Sequence, residues 1–270
     1  MPPAHAAERR WRRYVAIGDS FTEGLCDPAP GNGWRGWADR LAEALALRAA
    51  DAGQDFDYAN FAIRGRLLPQ IIDEQFPLAT ALHPDLVSIV GGGNDVLRPG
   101  VDIDAITARL ERAVVRLRGD GVTVIMSTAY DPWGPLVRRT RGLAAVFTAH
   151  VWSIAGRHGA HVLDLWGMPA LRDRRMWAED RIHLTAEGHR RVALHALDIL
   201  GIGTEPHDDD GSATQAEAPP RGRGEAWRED AAWLRHYVLP WVGRRLRGRS
   251  SGDGLVPKRP IPLPVSVLER

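Results

Sequence analysis

The 270-residue sequence predicts an α/β fold: a three-layer αβα sandwich on a five-stranded parallel sheet, with an amphipathic helix appended at the C-terminus. Three observations carry that expectation. Five short apolar runs recur between Tyr14 and Asp164. Longer segments whose apolar residues return every three or four positions separate them. The runs are continuously apolar rather than alternating, as befits strands buried on both faces.

The elements follow in order. The first strand, Tyr14–Ile17, ends at Gly18 and runs straight into Asp19 and Ser20. Trp34, Trp37, Leu41 and Leu45 then form one helical stripe, with Arg35, Asp39, Arg40 and Glu43 largely off it. A second strand is expected over Phe56–Phe61 and a helix over Leu67–Leu82. The third strand, Leu86–Val90, leads into Gly91-Gly92-Gly93-Asn94-Asp95. Ile103, Ile106, Leu110, Val114 and Leu117 mark a helix over Ile103–Arg118. The fourth strand, Val122–Ser127, precedes the loop Tyr130–Thr140 and a helix over Arg141–His158. The fifth strand is Ala160–Asp164. The last helix, Ala186–Leu200, has Thr185 as its N-cap.

Composition shifts after Gly203. Residues 1–203 read as one domain. Residues 204–226 are polar and rich in Gly and Pro, the signature of a flexible linker. Within 227–270, Trp227, Ala231, Leu234, Val238 and Trp241 outline an amphipathic helix interrupted near Pro240. Arg244, Arg245, Arg247, Arg249 and a basic, Pro-rich tail follow. Such a helix suits an anionic membrane. Docking on the protein's own surface is the favoured reading, because an exposed aromatic stripe promotes aggregation.

Bulk properties narrow the function. A formal net charge of +1 argues against a globally basic nucleic-acid binder. The single cysteine, Cys26, excludes an intrachain disulfide and a cysteine-rich metal site. No apolar run is long enough for a signal peptide or a membrane span, so a cytoplasmic location is expected.

Four short constellations carry the chemistry. Gly18-Asp19-Ser20 reads either as turn and cap punctuation or as a nucleophile at a strand's carboxyl end. Asn60–Gly65 leaves the second strand, and Gly65 can present a backbone N–H. Gly91–Asp95 leaves the third strand with glycines that let a ligand approach, an Asn donor and an Asp. Asp180-Arg181-Ile182-His183 precedes the last helix, at a spacing that lets the carboxylate orient the imidazole. Each block has a structural alternative as a turn or a cap.

Taken in order, Gly18-Asp19-Ser20, Gly65, Gly92-Gly93-Asn94-Asp95 and Asp180-Arg181-Ile182-His183 resemble the SGNH (GDSL-type) hydrolase superfamily. The resemblance covers about residues 13–201, the span of its blocks. Phe21 stands where that family often carries Leu. The resemblance implies a serine esterase with Ser20 as nucleophile, His183 as base and Asp180 as its orienting partner. It also implies an oxyanion hole of the Ser20 and Gly65 N–H groups and the Asn94 side chain, with Asp19 and Asp95 supporting the loops. The expected substrate is a small or medium acyl ester cleaved through an acyl-enzyme, with no cofactor or metal. Phe21, Leu25, Trp34, Trp133, Pro135 and Leu136 are candidates for an apolar acyl pocket. Two rivals remain: a metal-dependent phosphoesterase using Asp19, Asn94, Asp95, Asp180 and His183, and a non-catalytic interaction protein on the same scaffold.

Overall fold

A computed structural model describes residues 11–131, 137–203, 230–240, 243, 247 and 249–265. The linker expected at 204–226, Trp227, Trp241, Arg244 and Arg245 lie outside the described residues.

The chain runs β1 (Arg13–Gly18), α1 (Ser20–Glu23), a hairpin of β2 (Pro28–Ala29) and β3 (Gly33–Trp34), α2 (Trp37–Asp51) and β4 (Asp57–Asn60). It continues through α3 (Leu68–Gln70), a π-helical turn (Ile71–Gln75), α4 (Phe76–Ala81), β5 (Leu86–Val90), α5 (Gly93–Val96), α6 (Ile103–Gly119) and β6 (Thr123–Ser127). Then come α7 (Arg141–His158), β7 (His161–Leu163), α8 (Ala186–Ile199) and β8 (Arg259–Pro264). The main sheet has the order β7-β6-β5-β1-β4-β8. The first five of these strands are mutually parallel.

Side-chain alternation along the strands builds two cores. Tyr14 and Ala16 of β1 face the layer of α2 and α8. Val15 and Ile17 face the layer of α6 and α7, as do Val87 and Ile89 of β5. Every residue of β5 and β6 is buried, which is why those strands carry no polar alternation.

The structure corrects the sequence reading in one place and refines it in another. The sheet has six strands rather than five: β8, from the Pro-rich tail, pairs antiparallel with β4. Pro260, Pro262 and Pro264 alternate with Arg259, Ile261 and Leu263. Proline cannot donate to a ladder, so it survives only on an edge strand with its nitrogen turned outward. That composition hides the strand from sequence reading and also leaves an outer edge that resists further pairing. The helix expected over Leu67–Leu82 is present as one helical path over residues 68–81, and the structure adds a π-turn within it.

Candidate active site

The strand order makes β1 and β5 neighbours whose connections leave toward opposite faces: α2 follows on one side, α6 on the other. This is the switch point where open α/β sheets form crevices at their carboxyl ends. Ser20 follows β1, and Gly91–Asn94 follow β5.

Close packing sets the Ser20 turn. A Cβ on Gly18 would lie 2.5 Å from the Val90 carbonyl oxygen, so only glycine lets β1 run this close to β5. Buried Gln75 clasps the same residue: the Gly18 N–H donates to Gln75 Oε1 (2.8 Å), and Gln75 Nε2 donates to the Gly18 carbonyl (2.9 Å). The π-turn brings Gln75 to this position. Asp19 caps α1 by accepting from the Phe21 N–H (3.1 Å). Ser20 is thus the first helical residue, and the punctuation reading of Gly18-Asp19-Ser20 holds together with the placement of a hydroxyl at the rim.

The Asp180–His183 turn is equally constrained. Asp180 Oδ1 accepts from the backbone N–H of Ile182 and of His183, each at 3.0 Å. Arg181 takes the left-handed conformation (φ 58°) that so tight a turn demands. The Ala178 N–H donates to the His183 carbonyl (2.8 Å), and Thr185 caps α8 directly afterward. His183 Nδ1 lies 2.5 Å from Asp180 Oδ2, and His183 Nε2 lies 2.8 Å from Ser20 Oγ. Hydroxyl, imidazole and carboxylate form one chain across 163 residues of sequence.

The electrostatics agree with that chain. Burial pulls the His183 imidazole down, but the Asp180 hydrogen bond, the Cys26 thiol beside it and the Asp180 charge lift it to about 9. Asp180 resists its own desolvation and stays below the usual carboxylate range, held by the His183 contacts and two backbone donors. Asp19 goes the other way. Burial pushes it up to about 6, against the Phe21 N–H and the His183 charge.

Asn94 Nδ2 donates to Asp19 Oδ2 and to the Arg66 carbonyl, each at 3.1 Å. The Asn94 amide therefore ties the first block to the turn after β4. Gly65 sits in that turn with φ 74°, its open side covered by Ser250 of the C-terminal segment. Asp95 is buried and accepts from the Leu68 N–H (2.9 Å), anchoring the same loop from below.

A cleft of about 70 Å³ adjoins Ser20 and His183, lined by Phe21, Asn94, Leu97, Tyr130, Leu165 and Ile182 among others. Of the pocket candidates from sequence, Phe21 is in it. Leu25 and Trp34 are not among the lining residues, and neither is Gly65, the oxyanion donor that the resemblance implies. Trp133, Pro135 and Leu136 lie outside the described residues.

Sequence reading missed Gln75 and the Glu23–Arg64 pair. Glu23 accepts from the Arg64 backbone N–H (2.7 Å) and pairs with its guanidinium, fixing the turn that holds Gly65. It also missed His189. Burial lowers that imidazole to about 3 despite its bond to the Leu25 carbonyl (3.2 Å). No local pattern marks these residues; each matters through a partner distant in sequence.

A doubly wound αβα sheet with this constellation at its switch point defines an ester-hydrolysing α/β enzyme. Residues 16–191 match the model of the GDSL-like lipase/acylhydrolase family, and the chain belongs to that family. Among solved structures it is similar in fold to LAE5, an alpha/beta hydrolase enzyme from the metagenome of Lake Arreo, Spain. That match has 22% identity and a TM-score of 0.61, and covers 72% of this chain and 97% of the other. It is also similar to Axe2, an acetylxylan esterase from Geobacillus stearothermophilus, with 22% identity, a TM-score of 0.59, and 71% and 95% covered. No curated protein sequence matches the chain.

Proposed function

We propose that the protein is a serine esterase acting on small carboxylic acyl esters. The observation that carries this is the chain Ser20 Oγ–His183 Nε2–His183 Nδ1–Asp180 Oδ2, at 2.8 and 2.5 Å, opening on the small cleft. His183 keeps its proton on Nδ1, facing Asp180, so Nε2 takes the Ser20 proton as Oγ attacks the ester carbonyl. The imidazolium then gives that proton to the departing alkoxide, leaving an acyl-Ser20. Water, deprotonated by the same Nε2, attacks the acyl group. It releases the carboxylic acid and restores the Ser20 hydroxyl.

The tetrahedral oxyanion needs donors. The Ser20 N–H, at the start of α1, the Gly65 N–H and the Asn94 amide fill that role in this scheme. Both hydrogens of the Asn94 amide are engaged, with Asp19 and the Arg66 carbonyl, which orients the group; one of these bonds yields as the oxyanion forms. The scheme uses no cofactor or metal. The phosphoesterase alternative fits less well. Asp19 is committed to the Phe21 N–H and Asn94, and Asp95 to the Leu68 N–H, so these groups do not converge on one ion.

The small volume of the cleft lined by Leu97, Tyr130 and Leu165 supports a short acyl group as the preferred substrate. Hydrolysis of p-nitrophenyl esters from acetyl to long acyl tests both parts. Activity is expected to concentrate at the shortest chains and to fall about 10⁶-fold in Ser20→Ala. Activity that survives the substitution defeats the nucleophile assignment, and a peak at long chains defeats the size assignment.

A further inference from the structure

One group near the reacting atoms has no part in that scheme. Cys26 follows α1 in a turn where it adopts a left-handed backbone (φ 69°), an unusual conformation for a residue with a side chain. The turn carries its thiol to the side of His183. The Cys26 sulfur, an Asp180 carboxylate oxygen and a His183 ring nitrogen all lie within 4.8 Å of one another, and all three residues are partly open to solvent. Among the described residues this is the one group of three such side chains so disposed.

The donor set has a chemical preference. Thiolate, imidazole and carboxylate together suit zinc and its heavier, softer relatives, whereas magnesium and calcium prefer oxygen alone. Three protein ligands plus one open position is the ordinary zinc arrangement outside purely structural sites. Ligand bonds of roughly 2.0–2.3 Å put neighbouring donors about 3–4 Å apart around the ion, so small side-chain rotations must open the 2.5 Å His183–Asp180 contact and bring Cys26 to the same range.

The geometry points to a latent site for a thiophilic divalent cation, formed by Cys26, Asp180 and His183, whose occupancy switches the enzyme off. Binding displaces the thiol proton and the proton shared by His183 and Asp180, and both go to solvent. The imidazole and carboxylate then hold the ion rather than Ser20's proton. The site itself is independent of the esterase reading, but the inhibition it causes rests on that reading.

The test uses the whole 270-residue chain, in which Cys26 is the one cysteine. Cadmium is titrated while ultraviolet absorption of the cadmium–thiolate bond is followed. Wild type and Ser20→Ala are expected to bind one ion per chain with that absorption. Cys26→Ser and Cys26→Ala should lack it, and His183→Ala should bind at least about tenfold more weakly, the smallest loss typical of disturbing a metal site. Absence of the absorption in wild type, or unweakened binding in His183→Ala, overturns the site. In parallel, zinc should inhibit ester hydrolysis reversibly, with recovery on chelation, while magnesium should not. Cys26→Ser, compared with its own metal-free rate, should need at least about tenfold more zinc. Equal zinc sensitivity in Cys26→Ser overturns the inhibitory role. If wild type hydrolyses no ester at all, the esterase reading fails and the cadmium titration alone decides the site.

Discussion

In the proposed scheme, His183 sets the pH behaviour of the site at the level of single residues. A general base must be neutral to accept the serine proton. With its imidazole lifted to about 9, kcat/KM for a short ester is expected to climb through neutral pH and level off only above about 9. A limb centred near the ordinary histidine value would mean that Asp180 does not hold the imidazolium as described. The sign for stability is opposite. A base raised in the folded state stabilises it most at low pH, so this contribution is full below about 6.5 and lost as pH rises through about 9. Asn94 offers a second check. Asn94→Ala should lower kcat by about 10²–10³-fold with little change in KM, as loss of an oxyanion donor does. A loss confined to KM would reassign Asn94 to ground-state binding.

At the scale of elements, the π-turn Ile71–Gln75 does what the strand and helix pattern could not announce. Apolar spacing over 67–82 read as helix, and helix it is. Spacing alone does not reveal that one wide turn rotates Gln75 into the interior to bond both polar groups of Gly18. Gln75→Leu would orphan the buried Gly18 N–H at the strand end that presents Ser20, while the Gly18 carbonyl keeps its bond from the Ile63 N–H (3.2 Å). A cost of about 1–3 kcal/mol is expected in denaturant unfolding, the penalty of one orphaned buried group. Unchanged unfolding would show that water or another group replaces the clasp. The short blocks were legible for the opposite reason. Gly18, Asp19 and Ser20, or Asp180 and His183, act within four residues of one another. Their turn chemistry is therefore local: Asp19 caps its own helix and Asp180 bonds its own turn.

For the whole molecule, the C-terminal segment is the largest addition. β8 covers the β4 edge. Lys258 Nζ reaches back to the Glu23 and Trp34 carbonyls (2.6 and 3.1 Å) and to Asp39 (2.5 Å), which is itself raised by burial against the pull of Lys258. Arg259 lies over the Tyr58 ring and bonds the Tyr58 carbonyl (2.9 Å). Upstream, Trp233 Nε1 donates to the Asp180 carbonyl (2.7 Å), Tyr237 to Glu179 (3.3 Å), and Asp230 pairs with Arg181. These contacts come from Asp230, Trp233 and Tyr237, whereas Ala231 and Leu234, on the stripe expected from sequence to dock, are exposed. Removing residues 204–270 is expected to lower the melting temperature by more than about 5 °C, the scale of a 1–2 kcal/mol loss in a domain this size. The hydroxyl–imidazole–carboxylate chain, whose three residues all lie upstream, should keep measurable turnover. Unaltered melting would show that β8 adds little to the sheet.

The amino-acid sequence by itself determined the layered α/β class, the five parallel strands, the three blocks at strand ends and the fourth before the last helix. Those features rest on hydrophobic periodicity and turn chemistry, which act over a few residues. Tertiary structure alone decided the sixth strand, the Gln75 clasp, the closeness of Cys26 to His183 and the small size of the cleft. Each depends on segments far apart in the chain meeting at one place. Local spacing carries no record of such meetings, because burial and partnership are properties of the packed whole.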